Sequence, residues 1–256
     1  YYDAANDRYK NCGIYTKAAS GTRLDALKTA VNHFIEDTAS KSPSSRIGIT
    51  VFSRSGKSNN GKYVDLGEVG EVNSTKVTEL KNFVNGLSAD GGTDPALGLE
   101  KAKNMLDALP PNDENRNKYV VLFTDGEPTG SGSDWSTTAQ KNAEDQASEL
   151  KTGTRDNVKE AEDQYTVFTI GFALDKNERA KTFLAGGTHD GKNYPGIATA
   201  GCAYTAENAA KLTEVFQSIS STISKNVDIT GATITDVIDK RFEILDQDEN
   251  GNYKVI

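Results

Sequence analysis

Stretches with helical and strand-like hydrophobic spacing alternate along the chain from Thr22 to Lys225. The strand-like runs are short and rich in β-branched and aromatic residues: RIGITVF at 46–52, YVDL at 63–66, KYVVLFT at 118–124 and YTVFTIGFAL at 165–174. Between them, apolar residues recur three and four positions apart, as in helices that pack on one side. This alternation is typical of α/β domains, so we predict a doubly wound, mostly parallel sheet flanked by helices.

Local signals mark where some of these elements begin and end. Thr22 is a suitable N-cap for the first helix. Asp94 followed by Pro95 predicts the start of another helix, with Asp94 as its cap, and the two prolines at 110–111 predict its end. The run at 118–124 is the most hydrophobic of the strands, so we expect it in the middle of the sheet, covered on both faces.

The hydrophobic pattern changes near Lys225. Residues 226–256 contain strand-like runs and no helical period, which predicts the beginning of a β-rich neighbouring domain. Within this tail, the D-x-D-x-N-G pattern at 246–251 resembles the opening of a calcium-binding loop. Its flanks are strand-like, whereas a calcium loop of that kind needs flanking helices. A hairpin turn at 250–251 is therefore the better interpretation.

Composition and charge exclude several classes of function. The chain has 256 residues, with 29 Lys and Arg against 37 Asp and Glu, and its net charge of −8 argues against nucleic acid or an anionic membrane as partner. The longest uninterrupted apolar run is Tyr119 to Phe123, which is too short to span a membrane. The sequence begins at Tyr1 without a leader, so we expect a fragment of a longer protein.

Catalytic motifs are not visible in the sequence. There are two histidines and no G-x-S-x-G motif, so nucleophilic catalysis has no recognisable machinery. The GKS sequence at 56–58 resembles the end of a phosphate-binding loop, but it lacks the earlier glycine and the following helix. Cys12 and Cys202 form no metal-binding pattern and are either a disulfide of an exported protein or two unrelated buried thiols. We predict that the protein is not an enzyme.

Two short motifs place hard oxygen ligands at one end of the predicted sheet. Gly91-Gly92-Thr93-Asp94 precedes a helix, and Thr124-Asp125-Gly126 follows the most hydrophobic strand. In open α/β sheets, ligands bind outside the carboxyl ends of the strands, where Asp125 is expected. The hydroxyl of Thr93 and the carboxylate of Asp125 suit Mg²⁺, which prefers oxygen ligands and is rarely enclosed by protein alone. We therefore predict that both residues hold a metal ion.

The order of the elements, together with these motifs, resembles that of a von Willebrand factor type A domain. The resemblance extends from about Thr22 to Lys225, and its most specific parts are the GGT and FTDGEPTG segments. Members of that family form a metal-ion-dependent adhesion site from three loops at the top of the sheet. Thr93 matches the threonine of the second loop and Asp125 the aspartate of the third. The resemblance thus implies a bound Mg²⁺, Mn²⁺ or Ca²⁺.

The family's first loop, D-x-S-x-S after the first and central strand, is absent between Tyr1 and Arg23. Loss of a central strand would leave its neighbours with unpaired backbone groups. We therefore expect that strand and its motif to precede Tyr1 in the parent protein, with residues 1–21 forming a loop inserted before the first helix. On this interpretation, residues 1–225 are the type A domain and residues 226–256 are part of a flanking immunoglobulin-like domain.

Among relatives, the type A domains of Gram-positive pilus-tip and surface adhesins fit best, because they carry insertions near the metal site and flanking immunoglobulin-like domains. The resemblance then implies an extracellular, cell-wall-anchored virulence module that captures an acidic group on a host matrix protein through the metal. Other pilin subunits are further expected partners. Two alternatives stay open: a structural pilus spacer without a functional metal site, and a subunit of an ATP-driven chelatase complex.

Two further expectations follow from an exported adhesin. We predict that Cys12 and Cys202 form a disulfide that joins the N-terminal insertion to the body of the domain. On the loop after Asp125, Glu127 and Trp135 are candidate rim contacts for a partner, with an exposed acid and a packed indole as the alternatives.

Overall fold

The computed structural model describes residues 2–3, 8–9, 22–53, 61–89, 91–109, 117–155, 158–159, 164–174 and 176–225. Its helices are α1 Arg23–Lys41, α2 Thr75–Asn85, α3 Pro95–Asp107, α4 Thr137–Thr152, α5 Glu178–Ala185 and α6 Ala209–Lys225. Its strands are β1 Tyr2–Asp3, β2 Arg8–Tyr9, β3 Arg46–Thr50, β4 Tyr63–Glu68, β5 Tyr119–Thr124, β6 Thr154–Arg155, β7 Val158–Lys159, β8 Thr166–Phe172, β9 Gly187–His189, β10 Lys192–Tyr194 and β11 Ala203–Ala206. The predicted alternation of helices and strands is confirmed.

Three strands form a parallel sheet in the order β11–β8–β5. In this sheet Val120 of β5 lies opposite Val167 of β8, and Thr124 lies opposite Gly171, so the two strands end close together. β3 and β4 form a separate antiparallel pair, and the short strands pair locally as β1–β2, β6–β7 and β9–β10. Parallel strands matter for function, because the loops that follow them meet at one edge of the sheet.

Side-chain caps fix where the helices begin, as the sequence indicates for α1. Thr22 accepts the backbone N–H of Asp25 at 3.2 Å, and the Asp25 carboxylate accepts the backbone N–H of Thr22 at 2.8 Å, which is a reciprocal capping box. The hydroxyls of Ser74 and Ser136 cap α2 and α4. The capping box gives α1 a fixed starting point, with Arg23 as its first residue.

Helices cover both faces of the parallel sheet. On one face, α1 and α6 pack against the aromatic side chains of Phe168 and Phe172 in β8. On the other face, α3 and α4 pack against Val120 and Leu122 in β5. Burial of apolar side chains on both faces stabilises this arrangement and confirms the predicted α/β class with helices flanking a mostly parallel sheet.

Two of these helices, α1 and α3, also cover the β3–β4 pair. Val31 of α1 packs against the core cluster that contains Phe168 and against the one that contains Val64 of β4, on which Ile47 of β3 also packs. The hydroxyl of Thr50, at the end of β3, donates to the carbonyl oxygen of Gly98 in α3 at 3.2 Å. β3 and β5 therefore lie between the same helices, yet among the described strands they do not pair with each other.

β5 is the strand that the sequence places in the middle of the sheet. Among the described strands it pairs with β8 alone, so it lies at an edge of the three-stranded sheet. Its side chains are nevertheless covered on both faces, because Val120 and Leu122 belong to one core cluster while Val121 and Phe123 pack against the other. Hydrophobicity therefore predicts the burial of β5 and not its number of neighbours, since covering helices suffice to bury a strand's side chains.

Some predictions fall on residues that lie outside the described ranges. The β-rich tail at 226–256, Cys12 and most of the insertion at 1–21 are among them. Cys202 is half-buried without a disulfide partner among the described residues, and burial raises the pKa of its thiol. The described residues up to Lys225 belong to one compact unit, and none of their helices is long and apolar enough to cross a membrane. The domain boundary and the disulfide stay predictions.

Candidate functional site

The turn after β5 presents Asp125 at the carboxyl end of the parallel sheet. The buried hydroxyl of Thr124 shapes this turn: it accepts the backbone N–H of Gly126 at 3.2 Å and donates to the carbonyl oxygen of the same residue at 3.1 Å. The side chain of Asp125 remains 48% exposed. Its carboxylate is therefore available at the edge where open α/β sheets bind their ligands.

The loop that carries Thr93 is clamped to the loop that follows Asp125. The carbonyl oxygen of Thr93 accepts backbone N–H groups from Thr129 at 3.0 Å and Gly130 at 2.9 Å. The backbone N–H of Thr93 donates to the hydroxyl of Thr129 at 3.0 Å. Gly92 makes this approach possible, because a Cβ atom there would lie 2.6 Å from the carbonyl oxygen of Gly130. Main-chain contacts thus set the spacing of the two loops.

The two predicted metal ligands lie on these clamped loops. A Cβ atom added to Gly126 would be 3.2 Å from the hydroxyl oxygen of Thr93, so that hydroxyl lies directly beside the residue after Asp125. Between the loops is an open cavity of about 480 Å³, lined in part by Thr93, Gly126 and Glu127. The structure therefore brings the Thr93 and Asp125 motifs together at one edge of the sheet.

The N-terminus of α1 is the third element at this edge. Nη1 of Arg23 lies 3.1 Å from the backbone carbonyl oxygen of Asp125 and 3.5 Å from its Oδ2. The contact joins two residues that are 102 positions apart in the sequence. Neither hydrophobic spacing nor a motif signals such a pair, so sequence reasoning did not place Arg23 at the site.

Asp94 occupies the N-cap position of α3, as the sequence predicts, but its side chain makes no capping hydrogen bond of normal geometry. Its Oδ1 is buried and has no hydrogen-bond partner among the described residues. Burial raises the pKa of this carboxyl, although the backbone N–H of Ala96 lies near enough to lower that pKa in part. An unsatisfied buried carboxylate oxygen next to Thr93 is costly unless something else binds it. The Asp-Pro pair predicts the cap position of Asp94, but nothing in the sequence indicates that one of its carboxylate oxygens lacks a partner.

Trp135 proves to be a packed indole, as the alternative interpretation of the sequence had it. Its ring meets Phe183 edge-on at 5.8 Å between centroids, and the guanidinium of Arg179 lies over its face at 3.7 Å. Its indole N–H donates to the side-chain oxygen of Gln140 at 2.9 Å. These contacts attach the loop after Asp125 to α5 and α4.

Glu127 is tied to the start of α5 rather than being a freely exposed acid. Asn177 donates from Nδ2 to Oε1 of Glu127 at 2.6 Å, while Oδ1 of Asn177 accepts the backbone N–H of Ala180 at 3.0 Å and caps α5. One side chain therefore caps a helix and holds the site loop, a role that only the contacts reveal.

We expect replacement of Asn177 by alanine to loosen the loop that carries the site. The helix cap is worth about 1 kcal/mol, and Glu127 loses its anchor at the same time. Trp135, the single tryptophan of the chain, reports on that loop. Acrylamide quenching of its fluorescence should increase in N177A.

A second capping asparagine provides the matched control. Asn208 accepts the backbone N–H of Lys211 at 3.0 Å in the first turn of α6 and contacts neither Glu127 nor Trp135 in the described structure. N208A should lose a similar stability without a change in quenching. Equal quenching in both variants would show that the link between Asn177 and Glu127 does not hold the loop.

The donor set at this edge fits a hard divalent cation. Thr93 offers a hydroxyl, Asp125 an exposed carboxylate and Asp94 a buried, unsatisfied carboxylate oxygen. No cluster of three or more His, Cys, Asp or Glu side chains able to hold a metal occurs in the described part of the chain. Few protein ligands suit Mg²⁺, which commonly retains several water molecules.

A family model describes the same part of the chain. The model of the von Willebrand factor type A domain matches residues 16–218, which includes both ligand loops and five of the described helices in full. No curated protein matches the sequence.

Solved structures with a similar fold include proteins of three bacterial pili. The pilus adhesin SpaC of Lactobacillus rhamnosus GG, in its open conformation, is 17% identical with a TM-score of 0.59, over 80% of this chain and 28% of that chain. The PilB minor pilin of Streptococcus sanguinis is 17% identical with a TM-score of 0.56, over 85% of this chain and 58% of that chain. The von Willebrand factor domain of the type V pili tip protein Mfa5 of Porphyromonas gingivalis is 16% identical with a TM-score of 0.52, over 84% and 92% respectively. The chain thus spans less than two thirds of the adhesin and of the minor pilin, and the similarity shows the fold.

Proposed function

Because the chain belongs to the von Willebrand factor type A domain family, we propose that it is an adhesion module which binds a partner protein through a divalent cation held at Thr93 and Asp125. The module has no catalytic turnover in this proposal. The cation is Mg²⁺, or Mn²⁺ or Ca²⁺ in its place, and the partner is a host extracellular protein that offers an acidic side chain.

One observation carries the proposal: the Thr93 loop, the Asp125 turn and the N-terminus of α1 meet at the carboxyl edge of the parallel sheet. The Thr93 hydroxyl lies beside Gly126, and Arg23 contacts Asp125. Backbone hydrogen bonds from the loop after Asp125 to the carbonyl oxygen of Thr93 hold two of these elements together. Such preorganisation lowers the cost of assembling an ion site with few protein ligands.

The chemistry of the site favours binding over reaction. A bound cation would supply an exposed coordination position that a partner's carboxylate can fill. Thr93 and Asp125 would hold the ion, and the hydrogen bonds between their loops would fix the position of Thr93. Asp94, whose Oδ1 has no other described partner, would add negative charge to the site.

We infer the setting of the module by analogy with proteins of similar fold. SpaC is a pilus adhesin, and PilB is a minor pilin. By analogy with them, we place this chain in an extracellular, cell-wall-anchored pilus or surface protein of a Gram-positive bacterium, in contact with other pilin subunits.

Replacing Asp125 by alanine tests the metal site directly. We expect the affinity for Mn²⁺, measured by electron paramagnetic resonance of the free ion, to fall at least about tenfold, because loss of even an indirect partner costs that much at metal sites. Asp134 lies exposed on the same loop and carries the same charge. D134A is therefore the control, and it should bind Mn²⁺ like the wild type.

The adhesion assay then separates metal-dependent adhesion from a purely structural role. Wild type and D134A should bind an immobilised extracellular-matrix preparation with Mg²⁺ and lose that binding in EDTA, whereas D125A should not bind under either condition. Equal binding by D125A and the wild type, unaffected by EDTA, would refute metal-dependent adhesion. Absence of Mn²⁺ binding and of adhesion in the wild type would instead favour a structural spacer.

A further inference from the structure

The guanidinium of Arg23 lies beside Asp125, the residue proposed to bind the metal ion. A single guanidinium nitrogen, Nη1, lies 3.1 Å from the backbone carbonyl oxygen of Asp125 and 3.5 Å from its Oδ2. Both oxygen atoms belong to the residue that directly follows β5. The guanidinium thus partly neutralises the carboxylate on which the proposed metal site depends.

The local structure of α1 does not account for an arginine at this position. Arg23 is the first residue of the helix, where the aligned peptide dipoles leave a partial positive charge and acidic residues are favoured. Asp25 supplies the acidic residue of the first turn, and its carboxylate is engaged with the backbone N–H of Thr22. Among the described residues, the Arg23 guanidinium contacts oxygen atoms of Asp125, which is 102 positions away in the sequence.

We propose that Arg23 is a built-in competitor of the metal ion: its guanidinium contacts Asp125 and must release the carboxylate when a divalent cation binds there. The inference rests on the proposed function, in which Asp125 is a metal ligand. Both side chains are about half exposed, at 55% and 48%, so the guanidinium can move into solvent at little cost. The concentration of the divalent ion therefore shifts this competition.

The competition lowers the affinity of the site for ions, because a divalent cation must displace the guanidinium from Asp125. The module therefore responds to a higher range of divalent ion concentration than it would with an uncontacted Asp125 carboxylate.

Arg23→Gln tests the proposal because glutamine retains a hydrogen-bond donor and loses the charge. We expect R23Q to bind Mn²⁺ about two- to fivefold more tightly than the wild type, the factor that corresponds to an exposed ion pair. Lys28 is the matched control: it lies on the same helix, and its ammonium group donates to the carbonyl oxygen of Asn85 at 2.9 Å. K28Q removes the same charge and should leave Mn²⁺ affinity unchanged.

The outcomes distinguish this inference from the proposed function. Unchanged or weaker Mn²⁺ binding by R23Q, in a protein whose D125A variant has lost Mn²⁺, would overturn the competition and leave the metal site standing. Equal tightening in R23Q and K28Q would also overturn it, because net charge alone would explain the gain. If the wild type and D125A bind Mn²⁺ equally, the metal site itself fails, and Arg23 has no ion with which to compete.

Discussion

Replacing Gly92 by alanine should separate the two loops of the site and weaken ion binding about tenfold or more. The added Cβ would lie 2.6 Å from the carbonyl oxygen of Gly130 and 2.9 Å from the hydroxyl oxygen of Thr129, closer than folded proteins tolerate. Both neighbours belong to the clamp that receives Thr93, so the main chain must move and the hydrogen bonds of the clamp lengthen or break.

The expected effect combines steric strain with lost hydrogen bonds. Overpacking of this kind costs about 1–3 kcal/mol, and each lost hydrogen bond adds about 1 kcal/mol. A loss of about 2 kcal/mol or more should lower the thermal midpoint of the domain by at least about 4 °C. Mn²⁺ affinity, measured on the folded variant at a temperature well below its midpoint, should fall about tenfold or more, as when a supporting contact of a metal site is removed.

Gly132 provides the control for Gly92. It lies on the same loop as Thr129, and a Cβ atom there would be 3.6 Å from the nearest described atom, the carbonyl oxygen of Thr129, which is an ordinary contact. G132A should keep both the thermal midpoint and the Mn²⁺ affinity of the wild type. A G92A protein that matches G132A in both measurements would show that the clamp does not position Thr93.

The largest loss of stability is expected from replacing Asp107 by alanine. Oδ2 of Asp107 accepts from the ammonium group of Lys103 at 2.9 Å, and Oδ1 accepts the hydroxyl of Tyr165 at 3.0 Å. Lys103 also lies 3.6 Å from Glu149 of α4. The network joins α3, α4 and the residue before β8, and the side chains of Lys103 and Asp107 are only 15% and 14% exposed.

Removing the carboxylate would leave a largely buried ammonium group with one distant partner. Breaking a buried pair from one side costs about 3 kcal/mol, which corresponds to a thermal midpoint lower by about 6–12 °C in a domain of this size. The hydrogen bond with Asp107 raises the pKa of Lys103 above its usual 10.5. Its contribution to stability is therefore complete at neutral pH and is lost only as pH rises through that raised value.

An exposed ion pair on α4 is the control for the effect of burial on stability. Lys141 and Asp145 form an ion pair one helical turn apart, with side chains 71% and 56% exposed. D145A should cost less than about 0.5 kcal/mol, because solvent screens such pairs. Similar thermal shifts for D107A and D145A would contradict a special contribution from the buried network.

The sequence allowed the fold and the two proposed ion ligands to be predicted because both depend on patterns that are local in the chain. Helical and strand-like periods, together with the cap at Thr22, identify elements one at a time. The rule that ligands bind at the carboxyl ends of parallel strands then placed Asp125 at the site. Thr93 followed from its family motif, and the structure places its hydroxyl beside Gly126.

The remaining features of the site arise from contacts between distant segments, which no period records. Arg23 meets Asp125 across 102 residues, and Asn177 meets Glu127 across 50. The need for glycine at position 92 depends on where the backbone of Gly130 comes to lie. The chemistry of a side chain allows its role as a ligand to be predicted from sequence. The close approach of two main chains is not visible in the sequence, apart from the glycine that permits it.

The placement of β3 and β5 between the same helices has a consequence for cooperative unfolding. Backbone ladders join strands within the β3–β4 pair and within the three-stranded sheet, but in the described structure no ladder joins one to the other. Two helices connect them instead. Val31 of α1 packs against both core clusters, and the carbonyl oxygen of Gly98 in α3 accepts the hydroxyl of Thr50 in β3. The free energy of local unfolding depends on the contacts that a region makes. Detachment of α1 would therefore destabilise the β3–β4 pair and the three-stranded sheet together. In this part of the molecule a helix, rather than a strand, transmits cooperativity.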